Sequence, residues 1–254
     1  MSTNSIEKLK NVIASLTAPE GCPWDKEQTP LTLCDSVIEE AFELVEAIRA
    51  DDRQEVLEEL GDVMFLLLFI AQRYEESGDF KFADAVDSAA AKMIRRHPHV
   101  FADAKVEDQE ELLRNWEKIK RSEKKGDKKI FDSLPKGLPP MLKAYRINSK
   151  AARSGFTYES DEQCIEQLQS EWNEWNSALE SGNKEAITEE LGDYLFTLIE
   201  LGRRKGIKAN SALDTTNNKF LDRFAKMEDL AKKQGKDLSE MNLIEQNELW
   251  EQVK

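Results

Sequence analysis

The sequence predicts an all-α protein made of two duplicated helical-bundle modules. Three observations lead there: an acidic pattern repeated at a fixed offset, apolar residues recurring at a helical period, and no convincing alternating strand. Glu40, Glu43, Glu59 and Asp62 recur 131 residues later as Glu171, Glu174, Glu190 and Asp193, with the same intervals of 3, 16 and 3 residues. "EELGD" therefore stands at 58–62 and again at 189–193. Downstream, Lys92 and Arg96 recur as Lys219 and Arg223, and "NWEKIK" ending at Lys120 recurs as "LWEQVK" ending at Lys254. Each copy is roughly 110 residues, an ordinary domain size. The expected boundaries are a first module over 1–123, a connection over 124–138 rich in Gly, Pro and Lys, and a second module over 139–254. Pro139-Pro140 is placed to open the first helix of the second copy.

Taken in order, LTLCDSVIEEAFELVEAIRA carries apolar residues at 37, 38, 41, 42, 44, 45 and 48, a period near 3.6. Asp52 followed by Glu55 reads as a capping box that starts the next helix. After Asp62 the chain is apolar all round, the pattern of a helix buried on every side, with the aspartate at the start of the buried stretch. The longest strictly apolar stretch, Val63 to Ala71, is far short of the ~20 residues of a membrane span. MSTNSIEKLK has no apolar signal-peptide core, and Cys22, Cys34 and Cys164 are an odd number in no metal-ligand spacing. Reduced thiols and a cytoplasmic location follow as expectations. A net charge of −14 argues against a nucleic-acid polymer as partner. A small anion is compatible with it if cations are concentrated locally.

An acidic face opposite an apolar one is usually just solvated. The second helix changes that reading, because Glu59 and Asp62 share a face and an antiparallel pair of helices brings them toward Glu40 and Glu43. A like-charge contact at 4 Å costs about 4 kcal/mol at an effective dielectric near ~20. A divalent cation removes that penalty, and all-oxygen ligands favour Mg²⁺ or Mn²⁺. Gly61 and Gly192, within the repeated pattern, are expected where something approaches the backbone closely. Di-iron bundles need Glu-x-x-His, whereas the only histidines, His97 and His99, sit in "RRHPHVF" and read as residues satisfying a helix end. Lys92 with Arg96, and Lys219 with Arg223, are each one turn apart and read as phosphate clamps beside an anionic metal site.

These residues resemble the tandem MazG proteins of the all-α nucleoside triphosphate pyrophosphohydrolase superfamily. The resemblance rests on "GCPWDKEQT" (21–29), "EEAFE" (39–43), "EELGD", "RRHPHVF" (95–101) and "WEKIK" (116–120) in the first half. In the second it rests on "SEWNE" (170–174), "EELGD", "NNKFLDRF" (217–224) and "WEQVK" (250–254). It implies Mg²⁺-dependent hydrolysis of a nucleoside triphosphate to monophosphate and pyrophosphate, with Mn²⁺ as a possible substitute, in nucleotide-pool house-cleaning or nucleotide-level control. It implies metal ligation by Glu171, Glu174, Glu190 and Asp193 and, in the first copy, by Glu40, Glu43, Glu59 and Asp62. Nucleotide contacts fall to Gln167, Glu171, Lys219, Arg223, Trp250 and Lys120, and those of the first copy to Lys92 and Arg96. A homodimer is implied, with most hydrolysis in the C-terminal copy. Two departures stand in that copy: Ser170 replaces the first glutamate of Glu-Glu-x-x-Glu, and Gln167 and Ala186 stand where the family can carry lysines. The competing expectations are a narrow dUTP or dCTP hydrolase and a non-catalytic helical scaffold.

Overall fold

The computed structural model describes residues 3–123 and 129–254. Positions 124–128 of the expected connection lie outside the described residues. The chain divides into two compact units, Met1–Glu107 and Asp108–Lys254. The first holds α1 (Thr3–Thr17), α2 (Pro23–Glu27), α3 (Cys34–Ala50), α4 (Arg53–Glu76), α5 (Phe82–Arg96) and α6 (Pro98–Phe101). The second holds α7 (Gln109–Ser122), α8 (Pro140–Arg153), α9 (Asp161–Ser181), α10 (Lys184–Arg204), α11 (Ala209–Lys233) and α12 (Leu243–Val253), with a 3-10 turn at Leu238–Glu240. No strand occurs among the described residues, and no described helix is long and apolar enough to cross a membrane.

Each unit is organised by one antiparallel helix pair, α3 with α4 and α9 with α10, and the duplication reaches into the turn that joins each pair. Asp51 (φ 55°) and Gly182 (φ 67°), 131 residues apart, both take the left-handed conformation that ends a helix. The next residue caps the following helix in both copies. Asp52 accepts from the backbone N–H groups of Gln54 and Glu55, and Asn183 from those of Glu185 and Ala186. Such a tight turn leaves no choice but to fold the second helix back along the first. Pro140 opens α8 as the sequence predicts.

In the first unit Ile13, Leu33, Leu66, Leu68 and Phe69 form the core, so α4 is gripped by α1 and the start of α3. Burying a side chain such as Phe69 contributes roughly 1.5–3 kcal/mol. The "GCPWDKE" segment is fastened to α4 by Arg73, whose Nη2 donates to the backbone oxygens of Asp25 and Lys26 at 2.7 and 3.2 Å. Gly21 is required there, because a Cβ would come within 2.2 Å of the Leu16 carbonyl oxygen. In the second unit Met227, Ala231, Leu238, Met241 and Leu249 join α11, the 3-10 turn and α12.

Three expectations are corrected. Helix α4 begins at Arg53 because Asp52 caps it, so Asp62 lies in mid-helix and is exposed, as Asp193 is in α10. Burial of α4 and α10 is one-sided: Leu68 and Phe69 are buried, whereas Leu67 is 51% exposed. The apolar arc of α3 is likewise largely uncovered, with Ile38, Phe42, Val45 and Ile48 all exposed. The third concerns Gly61 and Gly192, where an added Cβ would meet nothing within 4 Å. Helix α7 packs with the second unit, where Glu117 lies 3.5 Å from Lys150 and 3.4 Å from Arg153 of α8.

Candidate metal centre and nucleotide site

The helix pairs bring three of the four repeated carboxylates together in each copy. In the first, Glu40 and Glu43 of α3 and Glu59 of α4 each offer an oxygen within 4.8 Å of the others. In the second, Glu171 and Glu174 of α9 and Glu190 of α10 do the same. Asp62 and Asp193 stand outside these trios, yet their charges still reach Glu59 and Glu190 and help raise their pKa values.

Glu59 is the buried member of its trio, and its Oε2 has no hydrogen-bond partner. Burial pushes its pKa up to about 7, helped by a hydrogen bond with Glu40 and by the charges of Glu43, Glu40 and Asp62. A buried carboxylate with an unsatisfied oxygen and like charges around it is costly unless a proton or a cation joins it. Hard oxygen donors from three glutamates suit Mg²⁺ or Mn²⁺ rather than a soft metal. The residues of the first copy therefore fit a divalent cation. The second trio is related but gentler. Burial raises Glu190, with Glu174, Asp193, Glu189 and Glu171 adding to the shift in that order. Two neutral side chains one turn earlier hold its partners: Gln167 donates to Glu171 at 2.8 Å and Ser170 to Glu174 at 2.8 Å.

The basic and aromatic candidates of the second copy meet at one corner. Arg223 of α11 lies 5.8 Å from the ring centre of Trp250 on α12 and donates to the Lys254 backbone oxygen at 3.0 Å. Phe220 adds a third partner, its ring 5.2 Å from Trp250. Lys219 is exposed on the same helix as Arg223. Gln167 is hydrogen-bonded to Glu171. Lys120 lies over the ring of Trp116 on α7, 4.7 Å from its centre. In the first unit Lys92 and Arg96 share α5, both half-buried. His97 ends that helix with its Nδ1 2.6 Å from the Met93 carbonyl oxygen, which is the capping role expected of it.

One part of the site escaped sequence reasoning. A cavity of about 510 Å³ opens beside α10, walled by Phe156, Tyr158 and Phe196 and floored by Asn148, Thr197 and Glu200. Phe196 and Glu200 follow Asp193 by three and seven residues, so the cavity starts about 5 Å along the helix axis from that aspartate. Asn148 donates to the Phe196 carbonyl oxygen at 3.2 Å, and Arg203 grips Glu200 with two bonds of 2.7 Å. Burial pushes the Tyr158 phenol up. The signal was a charged residue, Glu200, inside the apolar run "LFTLIEL".

This is an all-α chain with a duplicated helix pair and, in each copy, a carboxylate trio that could hold a metal ion. The MazG nucleotide pyrophosphohydrolase domain is matched twice, over residues 28–101 and 159–227. The nucleoside triphosphate pyrophosphohydrolase of Escherichia coli is 36% identical over 99% of this chain and 97% of its own length. The Thermotoga maritima nucleoside triphosphate pyrophosphohydrolase/pyrophosphatase MazG is 37% identical, covering 98% and 95%. Bacillus subtilis YabN is 40% identical over 96% of this chain, which spans 50% of YabN. The chain belongs to the MazG nucleotide pyrophosphohydrolase family.

Proposed function

We propose that this protein is a Mg²⁺-dependent nucleoside triphosphate pyrophosphohydrolase that releases a nucleoside monophosphate and pyrophosphate. The observation that carries the reading is the duplicated trio, with the partnerless buried oxygen of Glu59 in one copy. Glu40, Glu43 and Glu59 would hold the cation in the first copy, and Glu171, Glu174 and Glu190 in the second, with Asp62 and Asp193 completing the negative field. When bound, the cation neutralises the carboxylates and polarises phosphoryl oxygens. Glu171 or Glu174, and Glu40 or Glu43 in the first copy, take the proton from the attacking water. Lys219 and Arg223 stabilise the departing pyrophosphate, and Trp250 contacts the nucleotide. Lys92 and Arg96 take the phosphates in the first copy. The cavity beside Phe196 supplies the place where base and sugar are discriminated, so a narrow dUTP or dCTP preference would reside there.

The second copy is the principal site in this reading, because the Arg223–Trp250 corner and the cavity lie in one compact unit with its trio. A homodimer is part of the proposal, supported by the exposed apolar residues along α3. So is a cytoplasmic location, consistent with three unpaired thiols. A purely scaffolding role would need no trio in either copy. Incubation of the full chain with ATP and Mg²⁺ tests the reading: AMP and pyrophosphate should appear together. Accumulation of ADP and orthophosphate, or full turnover in metal-depleted buffer, sinks it.

A further inference from the structure

We propose that a concavity of about 430 Å³ on the second unit is a separate binding site for a phosphate-bearing anion, one that needs no metal. It lies among α7, α8, the segment before α9 and the C-terminal end of α10. Its lining carries four guanidinium groups, from Arg114, Arg153, Arg203 and Arg204, against the single carboxylate of Asp161. Ser149, Thr157 and Tyr145 add hydroxyls. That is an unusual concentration of donors in a chain of net charge −14.

Ion pairs around the concavity hold several of its cations in place. Arg203 forks onto Glu200 through Nε and Nη2, and Arg204 reaches Asp161 at 2.7 Å and the Tyr158 backbone oxygen at 2.9 Å. Asp161 also serves Lys205. Arg153 and the buried Lys150 share one carboxylate, Glu117, at the loose distances of 3.4 and 3.5 Å. Glu117 thus serves both Lys150 and Arg153, and Asp161 both Arg204 and Lys205. A guanidinium has five N–H donors, so Arg203 and Arg204 keep donors beyond these bonds. Several arginines held by their own pairs around one hollow match the tetrahedral oxygens of phosphate, and their fixed positions lower the ordering cost of binding.

The test is calorimetric titration of the full chain in metal-depleted buffer with inorganic phosphate, pyrophosphate or AMP. Without metal the carboxylate trios repel these anions, which disfavours uptake beside the trios. One saturable site per chain is expected, with pyrophosphate roughly tenfold tighter than phosphate because it meets more donors. Arg153→Gln should weaken it about tenfold. Ser149→Asp, which keeps every arginine bond but adds a carboxylate to the lining, should abolish it while the protein stays folded. No saturable uptake overturns the proposal. So does equal uptake by wild type and both variants, or uptake lost in Arg223→Gln and kept in Ser149→Asp. AMP binding as tightly as pyrophosphate assigns the site to nucleotide phosphates, and AMP about tenfold weaker assigns it to free oligophosphate; either result upholds the anion site.

Discussion

The two copies share their carboxylate spacing and their helix-pair turn, but they surround the trio differently. In the first, Glu59 is buried with a partnerless oxygen and a pKa pushed up to about 7, beside Glu39 and three more acids of the pattern. In the second, Ser170 stands at the position of Glu39, and Gln167 and Ser170 hydrogen-bond two members of the trio. The second copy also keeps its tryptophan helix, α12, in the same compact unit as its basic pair, whereas α7, the matching helix of the first copy, belongs to the second unit. Duplication preserved the carboxylate set and let the surroundings diverge. The lesson is that the carboxylate spacing is shared by the copies while the groups that neighbour it are not.

The comparison breaks most visibly at the buried glutamates. Glu190→Gln should lower pyrophosphate release from ATP by roughly 100-fold or more, since under the proposed function it removes one of the carboxylates that would hold the cation at the principal site. Glu59→Gln should change turnover less than about threefold. Asp193→Asn should fall between them, because that aspartate lies outside the trio. If Glu59→Gln is inactive and Glu190→Gln is not, the principal site is the first copy. A smaller loss is expected for Trp250→Ala: a roughly tenfold rise in KM with kcat little changed, if the ring contributes binding shared by ground and transition states. A fall in kcat alone would place Trp250 with the reacting atoms instead.

The pH dependence sharpens the contrast without using turnover. An ordinary glutamate loses its proton near 4.5, whereas Glu59 in the folded chain keeps it to about 7. The metal-free fold thus binds the extra proton over that window. Its contribution is most favourable below about 4.5, is lost as the pH rises toward 7, and is flat above. Other groups titrate oppositely: Glu117 is held low by Lys120, Lys150 and Arg153 despite its burial, and Asp161 by bonds to Lys205 and Arg204. The informative quantity is therefore the melting temperature of wild type minus that of Glu59→Gln. That difference should fall between pH 5 and 7.5 in metal-depleted buffer, and the fall should be smaller when Mg²⁺ is added. A difference independent of pH would mean Glu59 ionises normally.

Much of this was legible in the chain. The offset of 131 carried both trios, and apolar periodicity with Asp52 carried the α3–α4 pair. What was not legible depends on which elements meet. Asp62 heads an apolar run, yet the cap at Asp52 starts the helix a full ten residues earlier, so the buried acid is Glu59. The arc of α3 declares that Ile38 and Phe42 want apolar cover, but periodicity says nothing of where that cover comes from, and they are exposed. The cavity at Phe196 joins α8 to α10 across almost fifty residues, as the Asn148–Phe196 bond shows, and no local pattern encodes that meeting.

The smallest expected effect probes Ser170, which stands where the first copy has an acid beside its trio. Ser170→Glu restores the Glu-Glu-x-x-Glu pattern of the first copy at an exposed position, so folding should be unaffected. It removes the 2.8 Å bond to Glu174 and adds a negative charge one turn from it. Both changes favour the protonated forms of the neighbouring glutamates, so Glu190, already raised, should rise further. Because exposed charges are screened, the acid limb of the kcat/KM profile should move up by no more than about half a pH unit at moderate salt. The shift should grow as ionic strength is lowered, and Ser170→Gln should leave the limb in place. A limb that stays fixed at low salt in Ser170→Glu would show that Ser170 tunes nothing, and that the two copies differ through the corner at Trp250 alone.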